Sequence, residues 1–262
     1  MTSPPLQWDP AQYLQFVNER TRPCRDLVAA LDWLAPRRIV DLGCGPGNST
    51  RVLAERWPAA QVQGVDLSAE MLASARHDLP GCDWQQADLG DWIPSPASFD
   101  LIFSNAAVQW VPHHDRLLPR LWRGVAKGGA LAIQLPCNPH TPAHTLPAEL
   151  AAEPAWRSWF PHGLPPTWSA LSPAAYYDLL APLVPRLDVW VVVYQHVLPS
   201  VQAIVEWYRG TGLRPWLQSL PTDSDRQSFC AAYADRLAPH HPPRTDGRVI
   251  LPFERLFLVA RH

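Results

Sequence analysis

Residues 38–42, Arg-Ile-Val-Asp-Leu, are a short apolar run that reads as a β-strand. It leads straight into Gly43-Cys44-Gly45-Pro46-Gly47-Asn48, and a helical stretch follows over Ser49–Trp57. A strand, a glycine-rich loop and a helix N-terminus in that order form the phosphate- or nucleotide-facing corner of an α/β sheet. Glycine tolerates positive φ and lets backbone approach a ligand closely, while the helix start offers unpaired N–H groups. A dinucleotide fingerprint, G-x-G-x-x-G, needs glycine at position 48. Asn48 stands there and the third glycine is Gly47, which disfavours a nicotinamide dehydrogenase.

The same rhythm continues to about residue 135. Gln61–Val65, Cys82–Ala87, Asp100–Ser104 and Ala130–Leu135 read as further strands, the last after a Gly128–Gly129 turn. Ser68 caps a helix through His77 with Glu70 in its first turn, and His113–Val125 reads as another helix. Residues 136–185 are crowded with Pro, His and Trp and give no clear element. Leu187–His196 reads as a sixth strand, Pro199–Leu220 as helix broken at Thr211-Gly212, and Asp223–Leu237 as helix. Residues 239–247 read as a surface loop and Leu256–Arg261 as a last short strand. There is no internal repeat. The expected architecture is an α/β, Rossmann-like, mostly parallel sheet of about seven strands with a mainly helical cap. Residues 1–136 form the expected cofactor-binding core with an N-terminal lid segment, and 137–185 a cap insertion. Residues 186–262 supply the remaining strands with a helical insertion over about 197–250, the whole forming one compact unit. The irregular stretches are too long for simple connections and are expected to cap the carboxyl edge of the sheet, where open α/β sheets bind ligands.

Composition narrows the function classes. Hydrophobic residues make up 47% of the 262, enough for a sizeable core, and the formal net charge of −2 gives no global pull toward nucleic acid or anionic lipid. The five cysteines contain no C-x-x-C spacing, which argues against a disulfide framework or a thiolate zinc site. His113-His114 and His240-His241 lack metal-ligand spacing, so no metal is expected. Neither a signal peptide nor a run of apolar residues long enough to span a membrane is visible, and a cytoplasmic protein is expected.

The Asp41-x-Gly43-x-Gly45-x-Gly47 pattern resembles the first motif of class I methyltransferases, which use S-adenosylmethionine and release S-adenosylhomocysteine. The resemblance implies that Gly43, Gly45, Gly47 and Asn48 wrap that cofactor and that Asp41 meets its ammonium group, directly or through water. Asp66, at the end of the second strand, falls where a ribose-binding acid is expected, and Asp88 after the third suits the adenine amine. Leu67, Met71 and Leu89 are the apolar neighbours, and Asn105 closes the fourth strand. A single such Asp could merely cap a strand-to-helix turn; three, each after a successive strand, favour binding.

Strand four ends in Ser104-Asn105-Ala106-Ala107-Val108-Gln109-Trp110, without the Asn/Asp-Pro-Pro-aromatic signature of enzymes that methylate nucleobase amines. The chain resembles the trans-aconitate 2-methyltransferase family almost from end to end. The resemblance is carried by Trp8-Asp9-Pro10, Tyr13-Leu14, Glu19-Arg20-x-Arg22-Pro23, Asn105-Ala106-x-x-Gln109-Trp110, Thr211–Leu217 and Phe253-x-Arg255-Leu256-Phe257. Cys137-Asn138 stands where that family is expected to show Asp-Asn, and residues 139–175 match only patchily. The resemblance implies carboxyl O-methylation of a small anionic tricarboxylate. Such a carboxylate is already ionised at neutral pH, so no catalytic base is required. Candidates for holding the acid are Arg20, Arg22, Arg214 and His196, with Tyr13 and Tyr194 as neutral donors and Gln109 and Trp110 as wall. Each has a plain alternative: a helix-end charge for Arg20 and Arg22, indole stacking for Arg214, a core histidine for His196. Two other functions stay open: methylation of another small or carrier-bound carboxylic acid, and non-catalytic cofactor binding. Thirteen tryptophans can serve a cap core or an interface, so monomer and homodimer both remain open.

Overall fold

Strand β1 (Arg38–Leu42) is buried along all but its first residue, as expected of a parallel strand covered on both faces. The computed structural model describes residues 17–161 and 168–262, with side chains from Thr21 onward. Around β1 the strands β2 (Gln61–Asp66), β3 (Asp83–Gln86), β4 (Phe99–Asn105), β5 (Val125–Pro136), β6 (Arg186–Leu198) and β7 (Val249–Arg261) form one sheet in the order β3-β2-β1-β4-β5-β7-β6. Pairing is parallel from β3 through β5, with Asp41 beside Gly64 on β2 and Phe103 on β4, and Asn105 beside Gln134 on β5. Strand β7 is antiparallel to β5, with Gln134 opposite Phe257. The chain runs outward from β1 to β3 and then returns to β4, so the order reverses between β1 and β4. A crevice opens at the carboxyl ends of strands at such a reversal.

The described α-helices are α1 (Val17–Ala29), α2 (Asn48–Arg56), α3 (Ala69–Asp78), α4 (His114–Arg123), α5 (Pro142–Ala152), α6 (Pro173–Leu180), α7 (Val201–Arg209), α8 (Arg214–Gln218) and α9 (Asp223–Leu237). The chain divides into two compact units. Among the described residues, the larger contains 17–137, 168–192 and 254–262, and the smaller contains 138–161 and 193–253. In the larger unit, Val40, Leu42, Ile102, Ile133, Leu256 and Leu258 form one face of the sheet and pack with Leu117, Leu118 and Leu121 of α4 and Tyr176 and Leu180 of α6. Those leucines recur along one stripe of α4, and their burial rather than local propensity holds the helix in place. The smaller unit is knit by aromatic side chains. Phe229 of α9 meets Trp156 edge-on at 5.1 Å, and the buried Tyr233 hydroxyl donates to Ala143 O at 2.7 Å. Helix α9 opens with a reciprocal cap between Thr222 and Asp225. All five cysteines are free thiols, and no helix among the described residues is long and apolar enough to cross a membrane.

Three parts of the chain differ from the sequence reading. Helices α5 and α6 form inside the stretch that gave no clear element, because Pro142 and Pro173 occupy first-turn positions behind Thr141 and Ser172. Proline starts a helix there instead of breaking it, since its missing N–H has no partner in the first turn anyway. Gly128 and Gly129 lie inside β5, where the β4 pairing shifts register, and not in a turn before it. Strand β7 has 13 residues and is not a short strand. Pro252 disguises its first half, but β5 pairs only with Arg255–Arg261, so the missing proline N–H removes no bond to β5.

Gly64 shows how tightly β2 fits. A Cβ there would lie 2.6 Å from Cε3 of Trp84 and 2.9 Å from Sγ of Cys44. Gly64→Ala is therefore expected to lower the unfolding free energy by about 1–3 kcal/mol through overpacking, measured by urea denaturation.

Candidate active site

The loop after β1 is shaped by three glycines with positive φ, Gly43 at 68°, Gly45 at 54° and Gly47 at 92°. At Gly43 a side chain would run into the Cβ of Ala107 on the turn after β4, so the two turns can touch only if this residue is glycine. Around Gly45 no described residue lies within 4 Å of where a Cβ would stand, so open space among the described residues faces that position. The loop is held by the acid at the end of β2. Asp66 Oδ2 accepts from Gly45 N at 2.8 Å, and Oδ1 accepts from Ser68 N at 2.9 Å, which also orders the start of α3. Burial pushes the Asp66 carboxyl up from its usual range, against the backbone N–H donors of Ser68, Gly45 and Leu67.

Asp41 sits deeper, 0% exposed. Its Oδ2 accepts from Ser49 Oγ at 2.7 Å and Thr50 Oγ1 at 2.6 Å, both in the first turn of α2, while Oδ1 is buried without a partner. Burial pushes this carboxyl from 3.8 up to about 6; the Thr50 and Ser49 hydroxyls pull it down, and Asp66 adds to the rise. Two further polar atoms are buried and unpartnered nearby in the fold: Asn48 Nδ2 at the first residue of α2 and Asn105 Oδ1 at the end of β4. Asp88 is exposed and accepts from Gly90 N at 2.7 Å. Met71 and Leu89 are buried, and Leu67 is 52% exposed. The larger unit therefore contributes every cofactor candidate, from the carboxyl ends of β1, β2 and β4, the Asp88–Leu89 turn after β3 and the start of α3.

The candidates for the acid divide between the units. Gln109 and Trp110 lie on a 3-10 turn, Val108–Trp110, just after β4. Gln109 is buried, with Nε2 donating to Ala106 O at 2.7 Å, and the Trp110 ring meets Trp168 edge-on at 6.1 Å. Arg22 is exposed on α1. In the smaller unit, His196 is buried between Trp207, at 4.8 Å, and Phe253, at 6.1 Å, with Tyr194 stacked at 6.2 Å. Arg214 is half-buried at the first residue of α8. Tyr13 and the Arg20 side chain lie outside the described residues. Sequence reasoning missed Ser49 and Thr50 as partners of Asp41, although hydroxyls eight and nine residues after a strand acid, at a helix start, are a legible signal. It also missed Gln134, whose carbonyl accepts from Ala106 N at 2.8 Å and anchors the turn after β4.

A methyltransferase domain family matches residues 39–129. Trans-aconitate 2-methyltransferases from Acidovorax sp. (strain JS42) and Azoarcus sp. (strain BH72) are each 50% identical to the chain over 97% of its length and 98% of theirs. The chain belongs to the trans-aconitate 2-methyltransferase family. Among solved structures, an S-adenosylmethionine-dependent methyltransferase from Mesorhizobium loti shares the fold with a TM-score of 0.51 and 23% identity, over 90% of this chain and 96% of that one. Phosphoethanolamine N-methyltransferase 2 from Haemonchus contortus, in complex with S-adenosyl-L-methionine, has a TM-score of 0.56 at 17% identity, over 97% of this chain and 58% of that one.

The residues fit the cofactor of a class I methyltransferase. Open space faces Gly45, and Asp41 Oδ1 leaves a buried acceptor for a cation. Gly45→Ala should cost about 1–2 kcal/mol of stability from its left-handed backbone, yet weaken S-adenosylhomocysteine binding at least about tenfold by calorimetry, because the methyl enters ligand space. Unchanged affinity would place the ligand elsewhere.

Asp41 carries a pH signature. Between 3.8 and about 6 the folded chain holds a proton that the unfolded chain has released, so stability falls as pH rises through that window. The loss is roughly 1.4 kcal/mol per pH unit. Asp41→Asn removes this slope, and ligand-free Asp41→Asn is expected to gain on the wild type from about pH 4 to about pH 6 and to hold that gain above it, in denaturant titrations.

Proposed function

We propose that this chain transfers a methyl group from S-adenosylmethionine to a carboxylate oxygen of trans-aconitate, giving a monomethyl ester. The observation that carries this reading is the 50% identity to trans-aconitate 2-methyltransferases over 97% of the chain. The glycine loop pinned by Asp66 supports it, since a single strand-end acid orders the loop and keeps free lone pairs for hydroxyl groups. When bound, the cofactor supplies an electrophilic methyl on a sulfonium.

The protein's part is to bind, orient and exclude water. In this reading Asp66 accepts from the ribose hydroxyls, Asp41 meets the ammonium group with Oδ1, and the exposed Asp88 meets the adenine amine. Met71, Leu89 and the exposed Leu67 provide the apolar contacts. The acid needs no base, because carboxylates with pKa about 4 are ionised at neutral pH. Its oxygen must instead be held in line with the methyl carbon and sulfur, and alignment of this kind lowers a barrier by up to about 7–11 kcal/mol. The turn after β4 presents Gln109 and Trp110 as a wall for the acid. One N–H of the Gln109 amide is engaged by Ala106 O, which fixes the side chain as part of the wall.

The test is transfer of label from methyl-labelled S-adenosylmethionine to trans-aconitate, cis-aconitate, citrate and isocitrate, each offered separately. Ester label with trans-aconitate well above the other three is expected. Absence of label from all four acids, with cofactor binding intact, would overturn the substrate assignment and favour a carrier-bound acid.

A further inference from the structure

The turn that leaves β4 departs from regular backbone at Ala106, which has φ 56°, a conformation a residue with a side chain holds only under constraint. The constraint is visible on several sides. Ala106 N donates to Gln134 O and Ser169 N donates to Gln109 O, both at 2.8 Å, and the Trp168 ring edges against Trp110. The first carbonyl of the 3-10 turn, Val108 O, accepts from Val111 N at 2.9 Å and also lies 2.8 Å from Nε2 of His114, the first residue of α4.

That imidazole is 3% exposed and is itself held. Its Nδ1 lies 2.6 Å from the hydroxyl of Tyr176 on α6, which is 0% exposed, and the two rings stack at 5.6 Å. A carbonyl only accepts, so Nε2 carries the hydrogen and Nδ1 accepts from the Tyr176 hydroxyl. The tautomer is thereby fixed, and the bonds run in one direction from Tyr176 through His114 to Val108. Burial pushes the His114 pKa below its usual value, which favours the neutral ring this chain of bonds requires. Leu117, Leu118 and Leu180 on the same two helices already supply apolar packing, so burial alone does not call for a polar pair here. A buried polar network of this kind fixes one geometry where an apolar contact would allow several.

We infer that His114 and Tyr176 are positioning residues for the acid: they fix Val108 O, and through it the turn that sets the Gln109–Trp110 wall. The inference rests on the assignment of that wall to the substrate. The side-chain hydrogen bonds of the pair run to each other and to Val108 O and not to a cofactor candidate, so its effect is expected on the acid side of the site.

Tyr176→Phe removes one oxygen and leaves His114 Nδ1 without its donor. With trans-aconitate as substrate, KM for the acid is expected to rise about tenfold while the dissociation constant of S-adenosylhomocysteine stays within about twofold. A double-mutant cycle with Trp110→Ala supplies a readout that loss of packing would not move. Removing Trp110 takes away what the pair positions, so Tyr176→Phe should add less than about threefold on that background. His114→Gln retains an amide N–H for Val108 O and should recover most of the loss seen in His114→Leu. An unchanged KM in folded Tyr176→Phe, or additive effects with Trp110→Ala, overturns the inference while leaving wild-type transfer to trans-aconitate, and hence the functional reading, in place. If Tyr176→Phe does not fold, the His114 pair decides: equal KM in His114→Gln and His114→Leu overturns it.

Discussion

The carboxylate of Asp66 accepts from two backbone N–H groups that belong to different turns, one in the glycine loop after β1 and one at the start of α3. Much of the site follows from this. The glycine loop has no side chains with which to hold itself, and its left-handed residues are entropically costly to order. A partly buried carboxylate that accepts two amide hydrogens offsets that cost and fixes Gly45 facing open space. The same carboxylate couples β2 to the loop of β1 beside the point where the strand order reverses.

Asp41 completes the arrangement from below. It is an acid placed where ionisation is unfavourable, answered on one oxygen by Ser49 and Thr50 and on the other by nothing among the described residues. A buried acceptor left open costs about 1–3 kcal/mol, which is tolerable where a ligand supplies the missing donor. Stability of the ligand-free chain is thus traded against affinity at one carboxylate, the pattern expected of a binding site built into a strand end.

Much of this was legible in the sequence because it is local. The strand, loop and helix around Asp41 lie within twenty residues, and Asp66 follows the next strand at the expected distance. The 3-10 turn after β4, and the bond from Tyr176 to His114 across 62 residues, are set by tertiary packing, which periodicity does not encode. Proline-rich segments misled in two opposite ways. Pro142 and Pro173 suggested irregular chain and instead begin helices, while Pro252 made a long strand look short. At Pro142 and Pro173 the missing N–H has no partner in a helix first turn, and at Pro252 it removes no bond to β5. The aromatic cluster that buries His196 was likewise outside the reach of a linear reading, since Trp207 and Phe253 come from different elements.

The position of β7 bears on how the chain can be made. In space it lies between β5 and β6, but it is synthesised after both. While the polypeptide emerges, β1 through β5 can assemble in order, whereas β6 has no neighbour to join until Val249–Arg261 arrives. Its backbone N–H and C=O groups must therefore wait unpaired in the nascent chain, beside valines (Val191, Val193 and Val197) that stay exposed even in the folded structure. Vectorial synthesis makes the closing of this sheet a late event, with β6 the segment most in need of shelter before it occurs.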